Sequence, residues 1–292
     1  MVRQPYVFDV QDLQPDTAVD LGMLPSGALH RGLYALERFA YRHAAAVSTL
    51  TEAMRARITA KGVPGDKVVK AGLWAAPDLL ALPSGRVDDG IRAELGLGDG
   101  FIALHVGNMG VKQGLNVIVD AARRAARRDV RYVLVGDGAM RRALEDRVRR
   151  ERLDNVTIIP LLPRDRFQRL LAAADVALVT QQRVVSDVVF PSKVLTLMAA
   201  ARPVIASVAE RSEIAAVIRE AGAGMVVPPE DPVTLAAAVE QLCADAAART
   251  AAGDAGRDYV VRFHSRSAAL GRFAREVEQH AASLAGVTVT TA

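Results

Sequence analysis

The chain has 292 residues, 51% hydrophobic and 24% charged, a globular balance with length for two domains. No apolar run reaches the roughly 18–20 residues that span a bilayer, and the single cysteine, Cys243, excludes an intrachain disulfide framework and a cysteine-based zinc site. The net charge of +4 is carried by arginine, since lysine occurs only at Lys61, Lys67, Lys70, Lys112 and Lys193; with aromatics at 4% and none among the basic runs, a nucleic-acid surface is disfavoured.

In chain order, Tyr6 to Val10 reads as a strand, Gly27 to Ala44 as a long helix and Ala46 to Ser48 as a short strand. A helix from Thr51 to Lys61 and a strand from Val68 to Ala71 follow. That makes three strands, where a doubly wound domain usually has five or six. Residues 77–100, with Pro77, Pro83 and several glycines, read as a linker. From Phe101 onward strands and helices alternate. The strands are 101–106, 132–135, 156–159, 176–179, 204–206 and 225–227. Helices are expected near 115–127, 140–150, 164–173, 192–200 and 212–220, with another opening at Pro232. Alternation of this kind predicts an α/β fold with a parallel sheet covered on both faces. Two more helices run to about Ala282, with Leu270, Phe273 and Val277 at helical spacing. The expected layout is 1–76 as a partial first domain, 77–100 as linker, 101–252 as the second domain, 253–283 as C-terminal helices packing back on the first domain, and 284–292 as a tail.

In such sheets ligands bind at the carboxyl ends of the strands. Three turns of this chain fall there. Gly107-Asn108-Met109-Gly110-Val111-Lys112-Gln113-Gly114 follows the 101–106 strand and lets backbone approach a ligand. Gly136-Asp137-Gly138 follows the 132–135 strand, with Asp137 either capping the next helix or facing a ligand. Phe190-Pro191-Ser192-Lys193 opens a helix after a loop that is long for an α/β unit, and Ser192 is a candidate cap. A helix N-terminus carries about half a positive charge and favours anions. Lys112 and Lys193 are the cations expected beside it, and Ser207 and Glu213 point to the same rim. His105, inside an apolar strand, is expected to be packed. The chain holds no Asp-x-Asp, His-x-x-x-His or Gly-x-Ser-x-Gly, so metal-held diphosphates, zinc hydrolysis and a nucleophile elbow lack support.

Taken in order, several of these stretches resemble the donor-binding half of family 4 retaining glycosyltransferases of the two-Rossmann, GT-B architecture. They are Val106-Gly107-Asn108-Met109-Gly110 with Lys112-Gln113-Gly114, Val135-Gly136-Asp137-Gly138, Asn155-Val156-Thr157 with Pro160, Ala174-Asp175-Val176, Pro191-Ser192-Lys193 with Arg202-Pro203-Val204, and Ala223-Gly224 with Val227-Pro228-Pro229-Glu230-Asp231-Pro232. Gly107-Asn108-Met109-Gly110 and Pro191-Ser192-Lys193 look most like the exopolysaccharide subgroup of colanic-acid type. The first 80 residues resemble the later part of the family's acceptor domain, with Asp9 to Asp16 similar to the segment after its fourth strand. On that resemblance about a hundred residues of an acceptor domain are missing ahead of Met1, either through a start-site error or in the protein itself. The family usually has Arg where Asn108 stands and Lys near Gln113. Its paired glutamates align with Val188 and Thr196, and Ala201 stands where Gly is usual.

The resemblance implies transfer of a sugar, with retention, from a nucleotide diphosphate sugar to a saccharide or lipid-linked hydroxyl in cell-surface polysaccharide synthesis. It implies no metal cofactor; as negative charge grows on the leaving diphosphate, Lys112 and Lys193 are the expected catalytic cations, and donor contacts are expected from Gly107, Asn108, Gly110, Gln113, Gly136, Asp137, Pro191, Ser192 and Thr196. Gln11 and Asp12, after the first strand, are expected to orient the acceptor. The basic helices and the resemblance place the protein in the cytoplasm, at the inner face of an anionic membrane. A binding-only remnant and a nucleotide-sugar epimerase of the same architecture are the alternatives.

Overall fold

The computed structural model describes residues 5–20, 27–88, 90–127, 129–185 and 192–284. They form two compact units, residues 5–74 with 263–284, and residues 75–262.

In the first unit β1 (Val7–Val10), β2 (Ala46–Thr49) and β3 (Val68–Lys70) form a parallel sheet in the order β1-β2-β3. They are joined by α1 (Gln14–Asp20), α2 (Ala28–His43) and α3 (Glu52–Ala60). The sequence signalled all of these but α1. Thr51 caps α3 by accepting a 3.0 Å hydrogen bond from the Met54 amide. Val10, Leu13, Tyr41, Val47, Met54, Ile58, Val63 and Val68 make the core. Lys61 is held by Asp16 and, at 2.8 Å, by Glu37, which also accepts from Tyr41 Oη at 2.9 Å.

The second unit begins with two short helices, α4 (Pro77–Leu80) and α5 (Ile91–Glu94). It continues as β4 (Phe101–Val106), α6 (Asn116–Arg124), β5 (Val130–Val135), α7 (Arg141–Glu151), β6 (Val156–Ile159), α8 (Arg164–Ala173), β7 (Val176–Thr180), α9 (Lys193–Ala199), β8 (Val204–Ser207), α10 (Glu213–Ala221), β9 (Gly224–Val227) and α11 (Pro232–Ala244). α12 (Ala246–His264) ends this unit, and α13 (Arg266–Leu284) belongs to the first. All strand pairs are parallel, in the order β6-β5-β4-β7-β8-β9. The unbroken apolar runs demand this: every residue of β4, β7 and β8 is buried, as expected of strands covered on both faces. On one face α6 and α11 seal the core through Val117, Ile118, Ala121, Leu235, Val239 and Leu242. Each such large aliphatic side chain contributes about 1.5–3 kcal/mol by leaving water.

Residues 77–100, expected as a linker, are folded onto the second unit by two buried guanidiniums. Arg92 donates to the Ala173 and Gly100 carbonyls and to Asp175 Oδ2 at 2.9 Å, and the same carboxylate oxygen accepts from the Ile102 amide at 2.8 Å. Arg202 is 2% exposed and donates only to carbonyls, those of Ala172, Ala174, Pro83, Gly85 and Ala200. Prolines and glycines mark turns and loops; they do not reveal that distant arginines use that backbone as their acceptors. The C-terminal helices also divide differently from the expectation. α12 starts before residue 253, while α13 packs on β3, with Ala269 close enough to Gly72 that a Cβ there would stand 2.8 Å from Ala269 atoms. Glu276 of α13 accepts from the Lys70 amide. Cys243 is free and half-buried beside the core.

Candidate functional site

The strand order of the second unit reverses between β4 and β7, the place where open α/β sheets bind ligands. The turns leaving the strands at this edge are locked together by backbone. Gly107 N–H donates to the Val135 carbonyl at 2.9 Å, Met109 to Asp137 at 2.7 Å, and Met140 back to Met109 at 2.8 Å. Glycine is required at Gly136, where φ is +154° and a Cβ would stand 1.8 Å from the Gly107 oxygen. At Gly138 a Cβ would meet Asn108 Oδ1 at 2.5 Å. The next turn, Val111–Gln113, is tied to β7: Thr180 Oγ1 donates to the Gln113 carbonyl at 2.6 Å and the Gln182 amide to the Lys112 carbonyl at 2.9 Å. The rim is therefore set before any ligand arrives.

Lys193, the first residue of α9, reaches across this rim. Its Nζ lies 3.6 Å from where a Gly107 Cβ would be, an ordinary contact distance; glycine is favoured there by its φ of +118°. The ammonium is buried and has no hydrogen-bond partner among the described residues. Burial, with the Lys112 charge as a second cause, brings its pKa down to about 8. Lys112 is half-buried and makes no ion pair among the described residues. Gln113 Oε1 and His105 Nε2, also buried at this edge, lack hydrogen-bond partners among the described residues. Burial holds His105 well below the ordinary histidine range, with Lys193 pushing the same way.

Ser192, Lys193 and Thr196 line a cavity of about 410 Å³ at this edge with Gly107, Val106 and Val135. Its far wall is Leu161, Leu162 and Phe167, with Ala76 and Leu79 from the segment before β4. Leu161 is 66% exposed, an apolar side chain left open at the mouth. The sequence reading missed this wall. Its only signal was Pro160-Leu161-Leu162-Pro163, an apolar loop at a strand's carboxyl end. A larger cavity, about 640 Å³, lies in the first unit among Arg38, Phe39, Arg42, Lys61 and Lys67. It lies away from the carboxyl end of any strand and, among the described residues, holds no unpartnered buried group, so the smaller one is the candidate.

Of the expected site residues, Gly107, Asn108, Gly110, Lys112, Gln113, Gly136, Asp137, Ser192, Lys193 and Thr196 all stand on this edge. Several have other tasks than expected. Ser192 is itself helical, with φ −51° and ψ −22°, and makes no side-chain cap; its carbonyl accepts from Thr196. Asp137 does not cap α7: its Oδ1 accepts from the next amide, Gly138, at 2.8 Å and closes the turn. Ser207 turns its hydroxyl to the Pro228 carbonyl at 3.1 Å. Gln11 and Asp12 follow β1 in the first unit, where Gln11 Nε2 donates to Asp9 Oδ2 at 2.9 Å. Phe190, Pro191 and Val188 lie outside the described residues.

Residues 100–245 match the model of the family "Glycosyl transferases group 1", and residues 1–74 match a "Glycosyl transferase 4-like domain". The chain belongs to the glycosyl transferases group 1. Among its relatives are WcaI of Escherichia coli K12, described as a colanic acid biosynthesis glycosyl transferase, and the glycosyltransferase WbjE of Pseudomonas aeruginosa. WcaI is 28% identical over 240 residues, 80% of this chain and 59% of WcaI. WbjE is 30% identical over 244 residues, 82% of this chain and 60% of WbjE. The chain thus spans about three fifths of the length of these relatives. Among solved structures, Anabaena HepE in complex with UDP-glucose superposes with a TM-score of 0.72 at 17% identity, covering 98% of this chain and 73% of HepE. WaaG, a glycosyltransferase of lipopolysaccharide biosynthesis, does so with 0.67 at 18%, covering 92% and 74%. The α/β, GT-B-like fold expected from the motif order is the one observed.

Proposed function

We propose that the chain is a retaining glycosyltransferase that moves a hexose from a nucleotide diphosphate sugar to a saccharide or lipid-linked hydroxyl in cell-surface polysaccharide synthesis. One observation carries the reading: an unpaired, buried ammonium, Lys193, at the head of an apolar cavity on the carboxyl edge of a parallel sheet. A buried cation without a partner is costly, and a diphosphate supplies the missing charge. The apolar wall fits the flat ring of a nucleoside. HepE was solved with UDP-glucose, and WcaI is described as acting in colanic acid biosynthesis; both agree with this substrate class.

As the glycosidic bond breaks, negative charge grows on the diphosphate. Groups placed where it grows lower the barrier. Lys193 and Lys112 face that charge, and the first amides of α9 have no partner within the helix. Two lysines and backbone dipoles make a metal unnecessary in this scheme, and the departing phosphate takes the acceptor proton. We place the reaction in the cytoplasm against an anionic membrane. Among the described residues no helix is long and apolar enough to cross one, and the arginines on α6 and α7 suit an anionic surface.

The test is a thermal-shift panel of UDP-, GDP- and ADP-linked sugars, followed by transfer to a saccharide primer with and without EDTA. One donor family should stabilise the fold, and the product should keep the donor's anomeric configuration by NMR. No stabilisation by any of the three would overturn the reading. Free sugar epimerised without acceptor would point to the epimerase instead.

A further inference from the structure

His105 is a polar residue in a strand where an apolar one would pack. It is fully buried in β4, and such a group needs an explanation beyond packing. Its Nδ1 lies 3.2 Å from the Leu178 carbonyl of β7. A carbonyl only accepts, so Nδ1 carries the proton and Nε2 is a bare lone pair. That Nε2 is buried and has no partner. Two residues further on, the Lys193 ammonium lies beside Gly107, buried and without a hydrogen-bond partner among the described residues. An unfilled acceptor and an unfilled donor therefore lie within electrostatic reach of each other at the rim, with no hydrogen bond between them.

We propose that His105 is a positioning residue of the diphosphate site, whose Nε2 lone pair keeps the Lys193 ammonium protonated and aimed along the rim at Gly107. This rests on reading that rim as a diphosphate site. The choice of side chain has a physical logic. A carboxylate here would cancel the lysine charge and compete with the phosphate. An apolar residue would leave the ammonium with nothing to favour its charged form. A neutral imidazole offers the negative end of a dipole without a net charge, so the cation survives burial and remains available to an anion. The Leu178 bond fixes the tautomer that makes this possible.

Among the described residues, the charged groups around Lys193 leave no other candidate for this task. Lys112, on the turn after β4, is a like charge that disfavours the ammonium. Arg164 of α8, which lines the same cavity, is engaged with Asp78 of α4 at 2.8 and 2.6 Å. β7 carries no titratable side chain.

The experiment measures UDP binding by the full chain between pH 6.5 and 9.5 for the native sequence, His105→Phe and His105→Gln. In parallel, the ε-carbon resonance of Lys193 is titrated without ligand. In His105→Phe the lysine should lose its proton about one pH unit earlier, so UDP binding falls about tenfold near pH 8.5 and little at pH 6.5. His105→Gln, whose amide oxygen is again an acceptor, should recover most of the loss. Equal weakening at every pH in His105→Phe, or no recovery in His105→Gln, would make His105 a packing residue and overturn the proposal. Should His105→Phe fail to fold, His105→Met gives the same apolar comparison. Failure of the native chain to bind UDP, GDP or ADP sinks the diphosphate reading. The ligand-free titration judges His105 separately, and an unchanged Lys193 midpoint in the apolar variant overturns its role.

Discussion

The two edges of the six-stranded sheet treat buried charge in opposite ways. At the edge where the strands begin, Asp175 precedes β7 and Arg202 precedes β8. Arg92, Arg202 and Asp175 are all at most 5% exposed, and each is surrounded by partners. At the edge where the strands end, the Lys193 ammonium is buried with no hydrogen-bond partner among the described residues. A satisfied buried charge fixes geometry. An unsatisfied one is a standing demand for a ligand. Charge burial alone therefore does not mark a site; the missing partner does. Asp175 and Arg202 belong to the stretches that carried the family resemblance, yet they hold residues 83–100 and the strand starts in place.

The largest expected effect breaks the satisfied edge. Asp175→Ala strips the carboxylate from Arg92 and should cost about 3–5 kcal/mol in urea unfolding, with nucleotide affinity at 25 °C little changed in the folded fraction. A loss under 1 kcal/mol would dissolve the contrast between the edges.

Next is the unsatisfied edge. Lys193→Ala removes a charge-assisted contact worth about 1.5–3 kcal/mol, so a nucleotide diphosphate should bind roughly tenfold to a hundredfold more weakly by calorimetry. Stability should hold or rise, because an unpaired buried charge goes with it. An unchanged dissociation constant would take this lysine out of the site.

The pH dependence sharpens the same point. Lys193 falls from 10.5 to about 8 on folding, so between those values the unfolded chain binds more protons than the native one. Stability from this group then rises with pH over that window. Anion affinity moves the other way and should weaken up to tenfold per unit above pH 8. Parallel melting curves and binding isotherms at pH 7, 8 and 9 would show the crossing, and affinity flat through pH 9 would argue that Lys112 carries the charge instead.

The smallest effect is at Ala201, which ends α9 with φ +50° ahead of the Arg202 cluster. Ala201→Gly should raise the unfolding free energy by about 1 kcal/mol, since a left-handed conformation suits glycine. No gain, or a loss, in a denaturant melt would mean that the neighbouring contacts already hold this backbone without strain.

Much of this was legible in the chain because it depends on local pattern. Continuous runs such as Phe101–Val106 and Val176–Thr180 report burial on both faces, and Gly107, Gly136 and Gly138 report close backbone approach. Their position after successive strands located the rim. Side-chain tasks were less legible. Ser192 and Asp137 have the chemistry of helix caps, but the backbone around them gives them other partners.

The amino-acid order by itself determined the alternation of strands and helices, the parallel sheet and the edge that carries the candidate site, because periodicity and turn chemistry act between near neighbours. Tertiary structure alone decided which charges are satisfied. Arg202 finds the carbonyls of Pro83 and Gly85, Lys193 lies beside Gly107, and His105 gives one nitrogen to Leu178 while its other has no hydrogen-bond partner among the described residues. Those pairings join residues far apart in the chain, and only the folded backbone brings donor and acceptor within hydrogen-bond reach or leaves them without one.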